Sequence, residues 1–181
     1  MKVRAAVAAL LSLCLPAAPP AQTAVGQAPA PPDRALVERA AREVMQKARY
    51  CGLVTLAADG EPQARVMDPF PPEDDMTVWL ATNALSRKVS QIRKDPRVTL
   101  LYLEPSGAGS VTLLGRADLV DDPAEKAKRW MPAWDAFYED ANRGSDYVLL
   151  RVTPSRVEVV SAAHGIAVEP KGWKPAIVDL P

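Results

Sequence analysis

The chain has 181 residues, with 22 Lys and Arg, 22 Asp and Glu and a single His. That length suits one ordinary domain with a short appendage, and zero formal charge argues against a basic nucleic-acid binder. Two cysteines and one histidine exclude a disulfide scaffold, a four-thiolate zinc site and a poly-histidine cluster, so no metal site is expected. Residues 1–28 read as a secretory signal peptide: Lys2 and Arg4, an apolar run, then small residues that offer a cut near Ala28 or near Ala18. The run is too short for a membrane span, which needs about 20 apolar residues. This predicts a periplasmic or secreted protein. Residues 17–32 are rich in Pro, Ala and Gln and bury little. Positions 29–33 are thus the linker to a domain over 34–163, and 164–181, with Gly, Pro and an isolated Trp173, reads as an irregular tail.

Within the domain, Asp33 offers an N-cap to a helix over 34–47, whose apolar residues recur at helical spacing. Strands are expected over 50–57 and 62–67, joined through Asp59-Gly60, a strong hairpin signal. A strand over 76–82, a helix over 85–94 and a strand over 97–103 follow. A long strand over 110–120 holds Gly115, a candidate bulge. Asp122-Pro123 opens a helix through about 141, and two strands, 147–153 and 156–161, meet at Pro154-Ser155. Hairpin-linked strands with few intervening helices favour a small antiparallel barrel with helices packed outside.

The junction after the third strand carries the strongest chemical signal. Thr82, Ser86, Arg87 and Lys88 gather around a helix start, where unsatisfied N–H groups and a partial positive charge suit a phosphate. A capped helix with a solvated Arg-Lys pair is the plainer alternative. Arg65 lies mid-strand and is either exposed or a third cation for the same anion. Trp130, Trp134, Phe137 and Tyr138 recur at helical spacing, as core or dimer packing or as a wall for a planar ligand. Cys51 has apolar flanks and reads as a buried, inert thiol. His164 reads as structural or exposed, and Glu73-Asp74-Asp75 as a solvated acidic turn.

Thr82-Asn83, Ser86-Arg87-Lys88, Ile92, Asp95-Pro96 and Val98 together resemble the flavin-phosphate segment of the pyridoxamine 5′-phosphate oxidase-like superfamily. The hairpin around Asp59-Gly60, ending in Arg65-Val66-Met67, is similar to that family's first hairpin. The strand with Gly115 and the Asp121-Asp122 pair are also similar, so the resemblance spans about 44–161. Trp130-Met131-Pro132 looks most like the general stress protein 26 branch. The resemblance implies a six-stranded antiparallel split β-barrel, mainly β with flanking helices, that forms a homodimer with FMN at its interface. It implies that Arg65, Ser86, Arg87 and Lys88 hold the FMN phosphate. Val66 and Met67 would line the isoalloxazine through backbone and side chain, Ala81 and Thr82 would meet phosphate or ribityl, Ser110 would align with a ring-contacting Gln, and Trp130 would reach in from the partner subunit.

Two departures bear on activity. Where the oxidases carry a substrate-binding Lys beyond the arginine strand, this chain runs Asp68-Pro69-Phe70-Pro71-Pro72. Its end also lacks the Arg- and His-containing strand that grips substrate phosphate. The expectation is a flavin-dependent oxidoreductase with a small-molecule substrate or redox partner, and not a true pyridoxamine 5′-phosphate oxidase. The rivals are a non-catalytic protein binding flavin or haem, and an enzyme using deazaflavin.

Overall fold

The computed structural model describes residues 33–136, 138, 146–167 and 174–181. Helix α1 (Arg34–Ala48) buries Val37, Ala40, Ala41, Val44 and Met45 along one stripe, as its periodicity predicts. Asp33 occupies the cap position, but its side chain makes no capping bond; only its carbonyl accepts, from the Val37 N–H at 3.1 Å. Strands β1 (Cys51–Leu56) and β2 (Pro62–Met67) pair antiparallel in continuous register. Gly60 closes their turn at φ +88°, where a side chain would be strained, and Asp59 Oδ1 accepts from the Glu61 N–H at 3.1 Å.

Strands β3 (Val78–Asn83), β4 (Arg97–Leu103), β5 (Gly109–Val120) and β6 (Tyr147–Ser161) complete the main sheet, with helix α2 (Arg87–Lys94) between β3 and β4. The strand order is β2-β1-β4-β5-β6-β3. A bridge between Pro69 and Leu80, with the Phe70 N–H donating to the Trp79 carbonyl at 2.9 Å, joins the end of β2 back to β3. This ring of antiparallel strands with flanking helices is the split-barrel fold. Inside it, Leu53, Leu80, Leu100, Leu113, Leu150, Val152 and Val157 are fully buried. Burying a side chain of this kind stabilises by about 1.5–3 kcal/mol.

The structure departs from the sequence reading at three elements. The two final strands are one, because β6 runs through Pro154 without a break. Its register with β5 shifts between Leu114 and Gly115, and Gly115 faces Pro154. The unpaired Ser155 forms a bulge there, beside a proline that cannot donate to the ladder. The helix expected to reach 141 stops early: α3 (Pro123–Lys128) is capped by Asp122, which accepts from the Glu125 N–H at 2.9 Å. Pro132 then opens a 3₁₀ turn, Pro132–Ala136, since a proline ring inside an α-helix clashes with the carbonyl four residues back. Finally, the tail read as irregular holds β7 (Ala176–Asp179), which pairs with residues 156–159 of β6. Trp173 lies outside the described residues.

Cys51 is buried at the start of β1. Burial pushes its thiol up to about 12 and a Coulomb contribution from Asp68 adds to the rise, against a partial offset by Tyr102. The nucleophilic thiolate is therefore scarce in the native state near neutrality. In a Cys14→Ser background, a thiol reagent at pH 8 should label native protein more than ~100-fold more slowly than urea-unfolded protein. Equal labelling rates would show that Cys51 is accessible in the native state.

Candidate anion and cofactor site

The candidate site lies where β2, β1 and β3 meet α2. Strand alternation decides which side chains reach it. Across the β1–β2 ladder Gln63 pairs with Thr55, Arg65 with Leu53 and Met67 with Cys51, and opposed residues share a face. Thr55, Leu53 and Cys51 are buried, so Arg65 is on the core side of the sheet, not simply on its solvent side. It is half-buried, and its guanidinium donates to Thr55 Oγ1 at 2.6 Å, to Gln91 Oε1 at 3.1 Å and to the Leu53 carbonyl at 3.3 Å.

Gln91 ties this corner together and was missed in the sequence. Its Oε1 accepts from both Arg65 and Thr55, while its Nε2 donates to Gln63 Oε1 at 2.8 Å. The available signal was position: Gln91 stands one helical turn after Arg87, on the face that carries the cation.

From β3 the buried Thr82 reaches the same end of the barrel. Lys88 Nζ donates to Thr82 Oγ1 at 2.9 Å, and the Thr82 and Ser86 hydroxyls lie 3.4 Å apart. Ser86 is the N-cap of α2, yet its side chain makes no capping bond. Burial lowers the Lys88 ammonium and the neighbouring charge of Arg65 adds to that. Burial also lowers Arg65, with Arg87 as the like charge beside it. Three cations thus sit within electrostatic reach of one another. Among the described residues no carboxylate forms an ion pair with any of them. Like charges gathered at a helix start whose N-cap side chain makes no capping bond are donors of the kind that suit an anion. A terminal phosphate fits these donors.

Other residues singled out in the sequence lie elsewhere. Val66 is 75% exposed and Met67 is buried; consecutive strand residues face opposite ways, so a ring lined by both would meet the side chain of one and the backbone of the other. Ala81 likewise points away from Thr82, into an aromatic cluster on the outer wall of β3 and β6. Trp130 belongs to that cluster, with its ring centroid 5.3 Å from Tyr147 and 5.9 Å from Trp134. Trp130, Trp134 and Tyr138 cover their own barrel wall instead of forming one helical face; Phe137 lies outside the described residues. Ser110 pairs with the exposed Leu103 on the outer face of β5, three strands from Arg65.

The remaining candidates serve structure. Glu73 accepts from Arg129 and from Trp79 Nε1, each at 3.0 Å, and Arg129 also binds Glu125 and lies 3.6 Å over the Trp79 ring. His164 Nδ1 lies 2.8 Å from Ser161 Oγ and its Nε2 is 3.3 Å from Glu43. Among the described residues no group of three His, Cys, Asp or Glu side chains could hold a metal ion.

The sequence profile of the family described as pyridoxamine 5′-phosphate oxidase matches residues 26–161. The chain belongs to this family. A crystal structure of a protein related to general stress protein 26, from Clostridium acetobutylicum, is similar to it at 19% identity, with a TM-score of 0.64 over 80% of this chain and 93% of that one. A pyridoxamine 5′-phosphate oxidase-related, FMN-binding protein from Nostoc punctiforme aligns at 20% identity and TM-score 0.57, over 70% and 82% of the two chains. A haem-binding protein from Mycobacterium smegmatis aligns at 20% identity and TM-score 0.56, over 73% of this chain and 56% of its own. At such identities the likeness is one of fold. No curated protein matches the chain in sequence.

Proposed function

We propose that this member of the pyridoxamine 5′-phosphate oxidase family binds FMN and acts as an exported, homodimeric oxidoreductase. The observation that carries the reading is the convergence of Arg65, Arg87 and Lys88, without an ion-pairing carboxylate among the described residues, on the start of α2. Arg65, Ser86, Arg87 and Lys88 would hold the phosphate. Gln91 and Thr55 would keep the Arg65 guanidinium aimed. When bound, FMN supplies hydride or electron transfer, and the chain supplies position and electrostatics. Pyridoxamine 5′-phosphate itself is not the expected substrate, because the segment 68–72 replaces the substrate lysine of the oxidases. Export follows from the signal-like residues 1–28, and the electron donor is then a quinol, a redox protein or a small reduced metabolite. No described helix is long and apolar enough to cross a membrane.

The deciding experiment is the visible spectrum of the purified protein, with the released ligand identified by mass. About one FMN per chain is expected. A colourless protein that also fails to take up added FMN overturns the reading. A Soret band would transfer it to haem, and absorbance at shorter wavelength with a deazaflavin mass would change the cofactor.

The dimer is supported by an apolar stripe on the outer face of the β2–β1–β4 sheet, where Val66, Leu101 and Leu103 are 75%, 38% and 62% exposed. Register aligns Val66 and Leu101 on either side of Gly52. A contiguous apolar patch of this sort marks an interaction surface. Sedimentation should give twice the chain mass for the wild type and a monomer for Val66→Asp/Leu103→Asp. A wild-type monomer at micromolar concentration removes the dimer from the proposal.

A further inference from the structure

Arg65 uses only part of its hydrogen-bonding capacity within the chain. A guanidinium carries five N–H donors in a planar fork. Nη1 meets Thr55 Oγ1 and the Leu53 carbonyl, and Nη2 meets Gln91 Oε1. The Nε–H and the second N–H of Nη2 make no hydrogen bond to a described residue. A guanidinium meets phosphate through two such N–H groups at once.

Every partner of Arg65 is neutral. Arg97, Arg129, Arg151 and Arg156 each pair with a carboxylate, whereas Arg65 is held by a hydroxyl, a carbonyl and an amide. Position 91 must offer an acceptor. Thr55 Oγ1 accepts from Arg65 and therefore turns its own proton to Gln91 Oε1, at 2.6 Å. Gln and Glu are the two side chains of this length that end in such an oxygen. Burial and the neighbouring Arg87 charge both oppose the Arg65 cation, so a carboxylate at 91 would relieve the free protein. An amide there keeps the cation uncancelled, at a cost in stability of the kind that functional sites carry.

We infer that Gln91 makes this corner select a phosphorylated flavin over a neutral one, because it aims Arg65 as a carboxylate would without cancelling its charge. The inference rests on the reading of this corner as the FMN phosphate site. Gln91 acts through Arg65 and is a positioning residue.

The test compares the full chain as wild type, Gln91→Glu and Gln91→Met. Each is titrated with FMN and with riboflavin by flavin fluorescence, and each is melted without ligand. Gln91→Glu keeps both acceptor bonds and adds an ion pair with Arg65. The half-buried Gln63, which now accepts from Gln91 Nε2 at 2.8 Å, can turn its amide to donate instead. Gln91→Glu should therefore melt no lower than wild type, yet bind FMN at least about 10-fold more weakly, with riboflavin changed less than about 2-fold. Gln91→Met keeps the length and lacks the acceptor, so Arg65 retains its charge and loses its aim; FMN should weaken by only about 3-fold. A merely structural Gln91 would give the reverse order, with Gln91→Met the more damaging. The inference is overturned by that order, by Gln91→Glu binding FMN within about 2-fold of wild type, by equal losses for the two flavins, or by a loss that comes only with a lowered thermal midpoint. A wild type that binds FMN no better than riboflavin overturns the phosphate-site reading itself, and this inference with it.

Discussion

Replacing both Arg87 and Lys88 with Ala should cut FMN affinity by about 10²–10⁴-fold and leave riboflavin affinity within a few-fold. Charge-assisted hydrogen bonds contribute about 1.5–3 kcal/mol each, and each 1.4 kcal/mol is tenfold in affinity. Riboflavin lacks the phosphate that these donors would meet, so the loss should follow the anion. The same substitutions should leave the ligand-free protein about as stable as the wild type. Lys88 loses its bond to Thr82, but the cluster loses the repulsion that, after burial, lowers its ammonium.

The sign of that shift makes a second readout. A base whose folded pKa is lowered holds its proton less tightly than in the unfolded chain. Stability of the ligand-free protein therefore rises with pH between the lowered value and the ordinary lysine range. Lys88→Ala should flatten that rise relative to wild type, and bound phosphate should oppose it. Equilibrium titrations with FMN and riboflavin, and urea melts across alkaline pH, check both parts. Equal losses for the two flavins would remove Arg87 and Lys88 from the phosphate site.

Gly115→Ala should lower stability by about 3 kcal/mol or more, at the upper end of what overpacking costs. An added Cβ would lie 2.2 Å from the Thr153 carbonyl oxygen and 2.6 Å from the Pro154 Cα. Both are backbone atoms of the opposing strand, so no side-chain rotation relieves the contact. The β5–β6 bulge would have to open, in the longest ladder of the barrel. For a domain of this size the thermal midpoint should fall by about 6–12 °C. Gly107→Ala is the control: it meets open space at φ +75°, and should cost only about 1 kcal/mol. A Gly115→Ala protein within 1 kcal/mol of wild type would mean that the bulge relaxes freely.

Much of the fold was legible because its elements announce themselves locally. The stripe of Val37, Ala40, Ala41, Val44 and Met45, the Asp59-Gly60 turn and the Asp122 cap each depend on residues a few positions apart. Misread elements were those where a local signal met a distant partner. Pro154-Ser155 looks like a turn from its own neighbours, yet β6 takes up Ser155 as a bulge against the continuous β5 and runs on. Residues 176–179 carry too little pattern to declare a strand, and pair only because β6 offers them a free edge.

The candidate site divides in the same way. Thr82, Ser86, Arg87 and Lys88 lie within seven consecutive residues, so a strand end followed by a helix start brings them together by chain connectivity. Chain sequence by itself therefore determined the helix-start cluster, the alternation of each strand and membership of the barrel family. Tertiary structure alone decided that Arg65 turns inward to meet them, that Gln91 and Thr55 hold it there, and that Ala81, Ser110 and Trp130 stand on other faces. The physical reason is that strand alternation specifies two faces but not which is the interior. That choice belongs to closure of the sheet, which buries Leu53 and Leu100 and carries Arg65 to their side.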